Sequence, residues 1–269
     1  MRGVILREYE IKENALNKGQ FTKRVSDTLR ILAKYYCGLY NGESKHMKDE
    51  VVKNIDDFMT KNYPDYKPSK WNDKIEQIVK SVKSGGNFDL IDVNEVIIYK
   101  SEWDVILSLE TDQLQRLAFI LLVYQKINEL KNPKSDGWIN IGLSYIFMES
   151  NIRLKEGAIE QKRLLNKLYK MQYIKQKNTV NCTSLYINYR ELDKNEEIAF
   201  KVTNLDYALT FYYEYKDDIK YIECSNCKKR IKIKNNKQKY CNTCAKIAKK
   251  EQNKINMNKY RCGKIEKQR

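Results

Sequence analysis

The 269-residue chain has one histidine, three prolines and ten glycines, and it lacks every short motif that would announce an enzyme. There is no GxxxxGK[ST] phosphate loop, no GxGxxG, no GxSxG elbow and no HExxH. With His46 alone, imidazole chemistry has no second partner, so acid-base work would fall to carboxylates. The adjacent pairs Asp56-Asp57 and Asp217-Asp218 serve this poorly, because neighbouring side chains on regular backbone point different ways. These absences point away from catalysis. No uninterrupted apolar run of about 18 residues is present to span a bilayer, and the opening Met1-Arg2-Gly3-Val4 runs into charge rather than a signal-peptide core. A soluble cytoplasmic protein is the expectation, and in that reducing setting seven cysteines favour metal ligation and free thiols (Cys37, Cys182, Cys262) over a disulfide framework.

Acidic residues are scarce in one place only. From Lys220 to Arg269 the chain has 17 Lys or Arg against 3 Asp or Glu, whereas the remaining 219 residues hold 34 against 32. The last fifty residues thus carry +14 of the net charge of +16. Lys, Asn, Ile and Tyr are abundant throughout, as an AT-rich coding sequence would make them. Such a bias would spread unmatched lysine along the whole chain, so it does not account for the segregation. A cationic segment on a nearly neutral body points to a polyanion, most simply nucleic acid.

The predicted fold is mainly α with small β elements. Apolar residues at three- and four-residue intervals predict helices over Phe21–Tyr40, His46–Lys61 and from Trp71 to about Ser84, a three-helix unit spanning 1–87. The segment from Phe88 to Trp103 supplies a short strand. Thr111 then starts an apolar scaffold helix that ends before Pro133. A shorter apolar segment follows, Trp138–Met148, then a helix from Lys155 to about Gln172. A hairpin between Ile174 and Tyr189, turning at Lys177-Asn178, completes the order helix, short helix, turn, longer helix, two strands. That order is a winged helix-turn-helix, placed over 88–218. A helical wheel for the longer helix puts Ala158, Leu165, Leu168 and Gln172 on one side and Glu156, Arg163, Asn166, Lys167 and Lys170 opposite. Arg163 and Asn166 would read bases, with Lys167 and Lys170 on phosphates. Lys175, Lys177 and Arg190 would contact the backbone from the wing.

Cys224, Cys227, Cys241 and Cys244 form two CxxC pairs separated by thirteen residues, the spacing that closes a tetrahedral Zn²⁺ site. Four thiolates leave no open position, so the expected role is structural. A zinc ribbon is predicted over 219–248, with Ile231 and Ile233 covering one side of the metal. Lys228, Lys229, Arg230, Lys232, Lys234, Lys237 and Lys239 would line it for phosphate contact, beside Tyr240. Residues 249–269, including Lys249 and Lys250, form a basic tail expected to order along a duplex.

The run Cys224-Ser-Asn-Cys227-Lys, then Asn236-Lys-Gln-Lys-Tyr-Cys241-Asn-Thr-Cys244 and a Lys-rich continuation, resembles the zinc-ribbon endings of phage and mobile-element proteins from AT-rich bacteria. The resemblance covers about 40 residues and implies a four-cysteine zinc site and a DNA transaction such as regulation or replication. This sequence departs from the pattern at Lys228, where a turn-tightening glycine often stands. The middle unit is similar to winged-helix domains in pattern, and the first unit to helical accessory domains of replication proteins. The expected function is therefore a non-enzymatic, zinc-containing protein that binds double-stranded DNA. A factor docking on a host or phage protein, and an RNA-binding protein, are the competing readings.

Overall fold

The computed structural model describes residues 4–40, 47–133, 137–152, 157–179, 182–190 and 195–266. They form a mainly helical protein with three two-stranded antiparallel sheets. His46, Lys155, Glu156, Lys267 and Arg269 lie outside the described residues.

The N-terminal unit has four helices where the apolar periodicity predicts three. Helices α2 (Val25–Leu39), α3 (Met47–Asn62) and α4 (Pro68–Gly85) pack around Leu29, Leu32, Val51, Ile55, Met59, Ile75 and Val79, all buried. The additional helix, α1 (Glu8–Lys18), contributes only Ala15 to that core. Its anchor is a charge. Glu8, 3% exposed, accepts from Lys34 Nζ at 2.7 Å, from Lys131 Nζ at 2.5 Å and from the Ile91 amide at 3.1 Å. Burial pushes the Glu8 carboxyl up, but the hydrogen bonds from Lys131 and Lys34 outweigh it and hold it below the usual range. A depressed carboxylate adds stability above its unfolded pKa and loses it as the pH falls through the folded one. The acid limb of the stability profile is therefore expected to flatten in Glu8→Gln, as read by urea midpoints between about pH 3 and 7.

The central unit is built on α6 (Asp112–Lys131), which is buried along most of its length from Leu114 to Ile127. The Thr111 hydroxyl caps it by accepting the Leu114 amide at 3.3 Å, as the sequence predicts. The expected strand is β1 (Val96–Tyr99), and it pairs antiparallel with β4 (Ile198–Val202), Val96 opposite Val202. Helix α5 (Lys100–Leu107) follows β1 directly. Helix α7 (Leu143–Glu149) precedes α8 (Ala158–Lys170), and the hairpin β2 (Ile174–Thr179) with β3 (Cys182–Ile187) comes next. Lys177 and Asn178 are paired within β2, opposite Ser184 and Thr183, so the turn expected at these two residues is not there. Ile139 extends the hairpin: its amide donates to Leu185 O at 2.7 Å, and the Leu185 amide returns the bond at 3.1 Å.

One ion pair is enclosed in this core. Glu102, fully buried, accepts from Lys126 Nζ at 2.7 Å and from the Tyr99 amide at 2.9 Å. Lys126, 9% exposed, also donates to Ile97 O at 2.8 Å and lies 4.5 Å from the Tyr99 ring centroid. The pair ties β1 and α5 to α6.

Helix α9 (Leu209–Asp217) closes the central unit, its Phe211 and Tyr212 packed with Trp103, Phe119 and Phe200. Beyond it lie β5 (Tyr221–Glu223), β6 (Arg230–Lys232) and α10 (Asn242–Glu266). No helix among the described residues is long and apolar enough to cross a membrane.

Candidate metal centre and cationic surface

The first CxxC pair sits in the reversal between β5 and β6. The Cys224 amide donates to Lys229 O at 2.9 Å, and the Lys228 amide donates to Cys224 O at 2.9 Å, closing a tight knuckle. That closure takes Lys228 to φ 58°, the left-handed region where a Cβ is unfavourable. The glycine missing from the sequence pattern would occupy this position without strain, and Lys228 adopts the same backbone conformation at a cost. Lys228→Gly is expected to raise the stability of the metal-loaded protein by up to about 1 kcal/mol, part of the relieved strain being offset by glycine's greater entropy when unfolded. Chelator competition at fixed pH reads it.

The second pair sits at the start of a helix. Cys241 immediately precedes α10 and Cys244 lies in its first turn, where the Ala245 amide donates to Cys241 O at 2.8 Å. The module is thus one short hairpin followed by a helix. Only Ile231 packs on the cysteine cluster; Ile233, expected beside it, does not join.

The four sulfur atoms lie within 4.8 Å of one another, and among the described residues this is the group of His, Cys, Asp or Glu side chains able to hold a metal ion. A tetrahedral thiolate sphere with metal-sulfur bonds of about 2.3 Å has edges of about 3.8 Å. Cys227 Sγ and Cys241 Sγ stand 3.8 Å apart. The outer shell also fits. The Cys241 amide points at Cys224 Sγ (3.3 Å), the Cys244 amide at Cys241 Sγ (3.4 Å) and Asn226 Nδ2 at Cys244 Sγ (3.6 Å), donors that stabilise negative sulfur. The backbone amides of Cys227 and Cys241 lower Cys224 to about 6, and that of Cys244 lowers Cys241. The thiol of Cys244, hydrogen-bonded to the Cys241 sulfur, is pushed up to about 12, because sulfurs this close resist sharing negative charge without a cation between them.

Asn204 and Arg230 tie the module to the body. Asn204 Nδ2 donates to Glu223 Oε1 at 2.7 Å and to Lys228 O at 3.1 Å. Arg230, 9% exposed, pairs with Glu214 on α9 and lays its guanidinium 3.6 Å from the Phe211 ring centroid. The sequence placed Arg230 among the phosphate contacts. Its planar fork is instead taken up by a carboxylate and an aromatic face. Arg190, expected on the wing surface, is likewise paired with Glu129 and lies 5.6 Å from the Tyr186 ring centroid.

The lysines behave differently. Lys228, Lys229, Lys232, Lys234, Lys237 and Lys239 are exposed, as are Lys249 and Lys250 on α10, and none forms an ion pair with a described carboxylate. The described part of the basic tail, 249–266, continues α10, the helix whose first turn holds Cys244. On α8, Leu164, Leu165 and Leu168 face the core, while Arg163, Asn166 and Lys170 are exposed and Lys167 is half-buried. Gln172, expected on the inner side, is exposed, because the helix ends at Lys170 and Gln172 turns to φ 60°. Lys177 is exposed on β2. No protein-family model, curated protein or solved structure matches the chain.

Proposed function

We propose that the protein is a zinc-containing, non-enzymatic DNA-binding protein, a regulator or replication factor of the phage and mobile-element type. The observation that carries this reading is the set of exposed lysines, without carboxylate partners among the described residues, on a module with a metal-ready four-sulfur centre. No described carboxylate neutralises them, which leaves their charge for phosphates. Release of condensed counterions would supply most of the affinity. Zn²⁺ suits the donor set: four cysteines at tetrahedral spacing, with no position left for water or substrate. Such an ion acts as a staple, fixing the knuckle and the start of α10.

The succession α6, α7, α8 and hairpin, with Ile139 as a third short pairing partner, supports a winged helix-turn-helix in the central unit. Arg163, Asn166 and Lys170 on the solvent face of α8 would add base and phosphate contacts, with Lys177 on the wing. That same face carries Ile159, 70% exposed, and Tyr169, 53% exposed, a mixture that also suits a protein partner.

Competition separates the readings. Labelled random duplex DNA bound by the zinc-loaded protein should be displaced by unlabelled duplex more efficiently than by single-stranded RNA or an RNA hairpin of equal length. Stronger displacement by RNA would replace DNA with RNA as the target. Absence of binding to either at low salt would leave the protein-docking function in their place.

A further inference from the structure

Helix α10 stands out because it spans 25 residues and none of its described side chains beyond Cys244 is buried. Ile247, Ile255 and Met257 are 45%, 49% and 54% exposed. A solvated helix in water is marginal without packing, so this one needs a partner along its length. Its charge is arranged for one. At 100° per residue, Lys246, Lys249, Lys250 and Lys254 fall within an arc of roughly 140°, and Glu251 lies on the other side with Ala248, Gln252 and Ile255. The middle of the basic arc is shared by Lys246, in the first turns, with Asn253 and Met257 further along, all three exposed.

We propose that this face of α10 lies in the major groove of duplex DNA, with Lys249 on phosphates at one side, Lys250 and Lys254 on phosphates at the other, Lys246 on the phosphates where the helix enters, and Asn253 reading a base edge. The inference rests on the duplex-DNA reading above and assigns the groove element and the specifying residue within it. The major groove admits an α-helix, and an asparagine amide matches adenine N6 and N7 in a bidentate pair. Met257, one turn further on, offers an apolar contact to a thymine methyl. Lysines are point charges that locate a helix on phosphates but carry no sequence information, so the amide between them is the group left to discriminate. The metal centre sets the angle of entry, since Cys241 and Cys244 bracket the first residues of α10 and the module is fixed to the body through Arg230 and Asn204.

The test uses the full-length, zinc-loaded protein, the Asn253→Ala variant and a variant carrying K246Q, K249Q, K250Q and K254Q, each checked for one zinc per chain. Duplexes are selected from a randomised pool, and the slope of log affinity against log salt is measured on the winning site. The four-glutamine variant should lose up to about 3.6 of the slope, roughly 0.9 per phosphate contact. Asn253→Ala should keep the slope and lose roughly five-fold to 150-fold discrimination at one adenine position. Hydrogen exchange over residues 246–258 should slow when duplex is added. If the wild type binds duplex with a steep slope that the four-glutamine variant retains, the α10 assignment is wrong and the DNA reading stands. If those amides slow with protein concentration in the absence of DNA, the face belongs to a second copy and the assignment is wrong. If duplex binds at no salt concentration, both fall together.

Discussion

Removal of the metal, by chelation or by Cys224→Ser, is expected to unfold residues 221–244 and leave the two helical cores intact. The module has little other core: its buried apolar residues are Cys224, Cys241 and Cys244, with Ile231 packed against them, and its one further buried residue, Arg230, faces α9. Burial of one isoleucine is worth about 1.5–3 kcal/mol, far below the conformational entropy of some two dozen ordered residues at about 1–2 kcal/mol each. A structural zinc site contributes folding free energy outright, so the fold of the module depends on the metal. The central core draws on residues from Val93 to Tyr212 and the N-terminal core on residues from Ala15 to Phe88, and neither includes a cysteine ligand. Hydrogen exchange should therefore show β5, β6 and the start of α10 losing all protection on chelation, with α6 unchanged. Retained protection of β5 and β6 without metal would mean that the hairpin folds by its own packing.

The second large effect concerns the buried pair of the central unit. Glu102→Ala is expected to cost about 3–5 kcal/mol, because it strands the Lys126 ammonium in a site built for a carboxylate. Within a total stability of about 5–15 kcal/mol this brings the protein near unfolding at 37 °C. The paired change Glu102→Leu with Lys126→Met should recover most of the loss, since an apolar pair of similar volume has no charge to solvate. Urea melts of the three variants read both statements. A single substitution that costs less than about 1 kcal/mol would show that water reaches Lys126.

The same pair explains part of what the sequence hides. Helices α2, α3, α4 and α6 are legible because apolar residues recur on one face, and the Thr111 cap is legible because a hydroxyl precedes the run. Helix α1 is not, since its buried residues are the single small Ala15 and Glu8, a charge that the pattern of apolar spacing counts as surface. Helix α5 is missed for the same reason at Glu102. Strand β4 takes its identity from pairing with β1 about a hundred residues earlier, and no local signal carries that partnership. In the candidate site the four cysteines are legible by spacing alone. Their support on a helix was hidden because α10 is polar on nearly all sides, so its sequence reads as an unstructured tail. The division of labour between inward arginines and outward lysines was also hidden: charge counts treat Arg230 and Lys229 alike, and only the proximity of Glu214 and Phe211 separates them.

The central claim is that the C-terminal module is the nucleic-acid anchor. It is tested most directly by the salt dependence of binding to random duplex DNA, comparing the zinc-loaded full chain with a chain ending at Asp218 whose helical content is checked by circular dichroism. The account predicts a steep fall of log affinity with log salt for the full chain, and loss of most of that slope on truncation. An unchanged slope in the truncated chain, or no binding by the full chain at low salt, would contradict it.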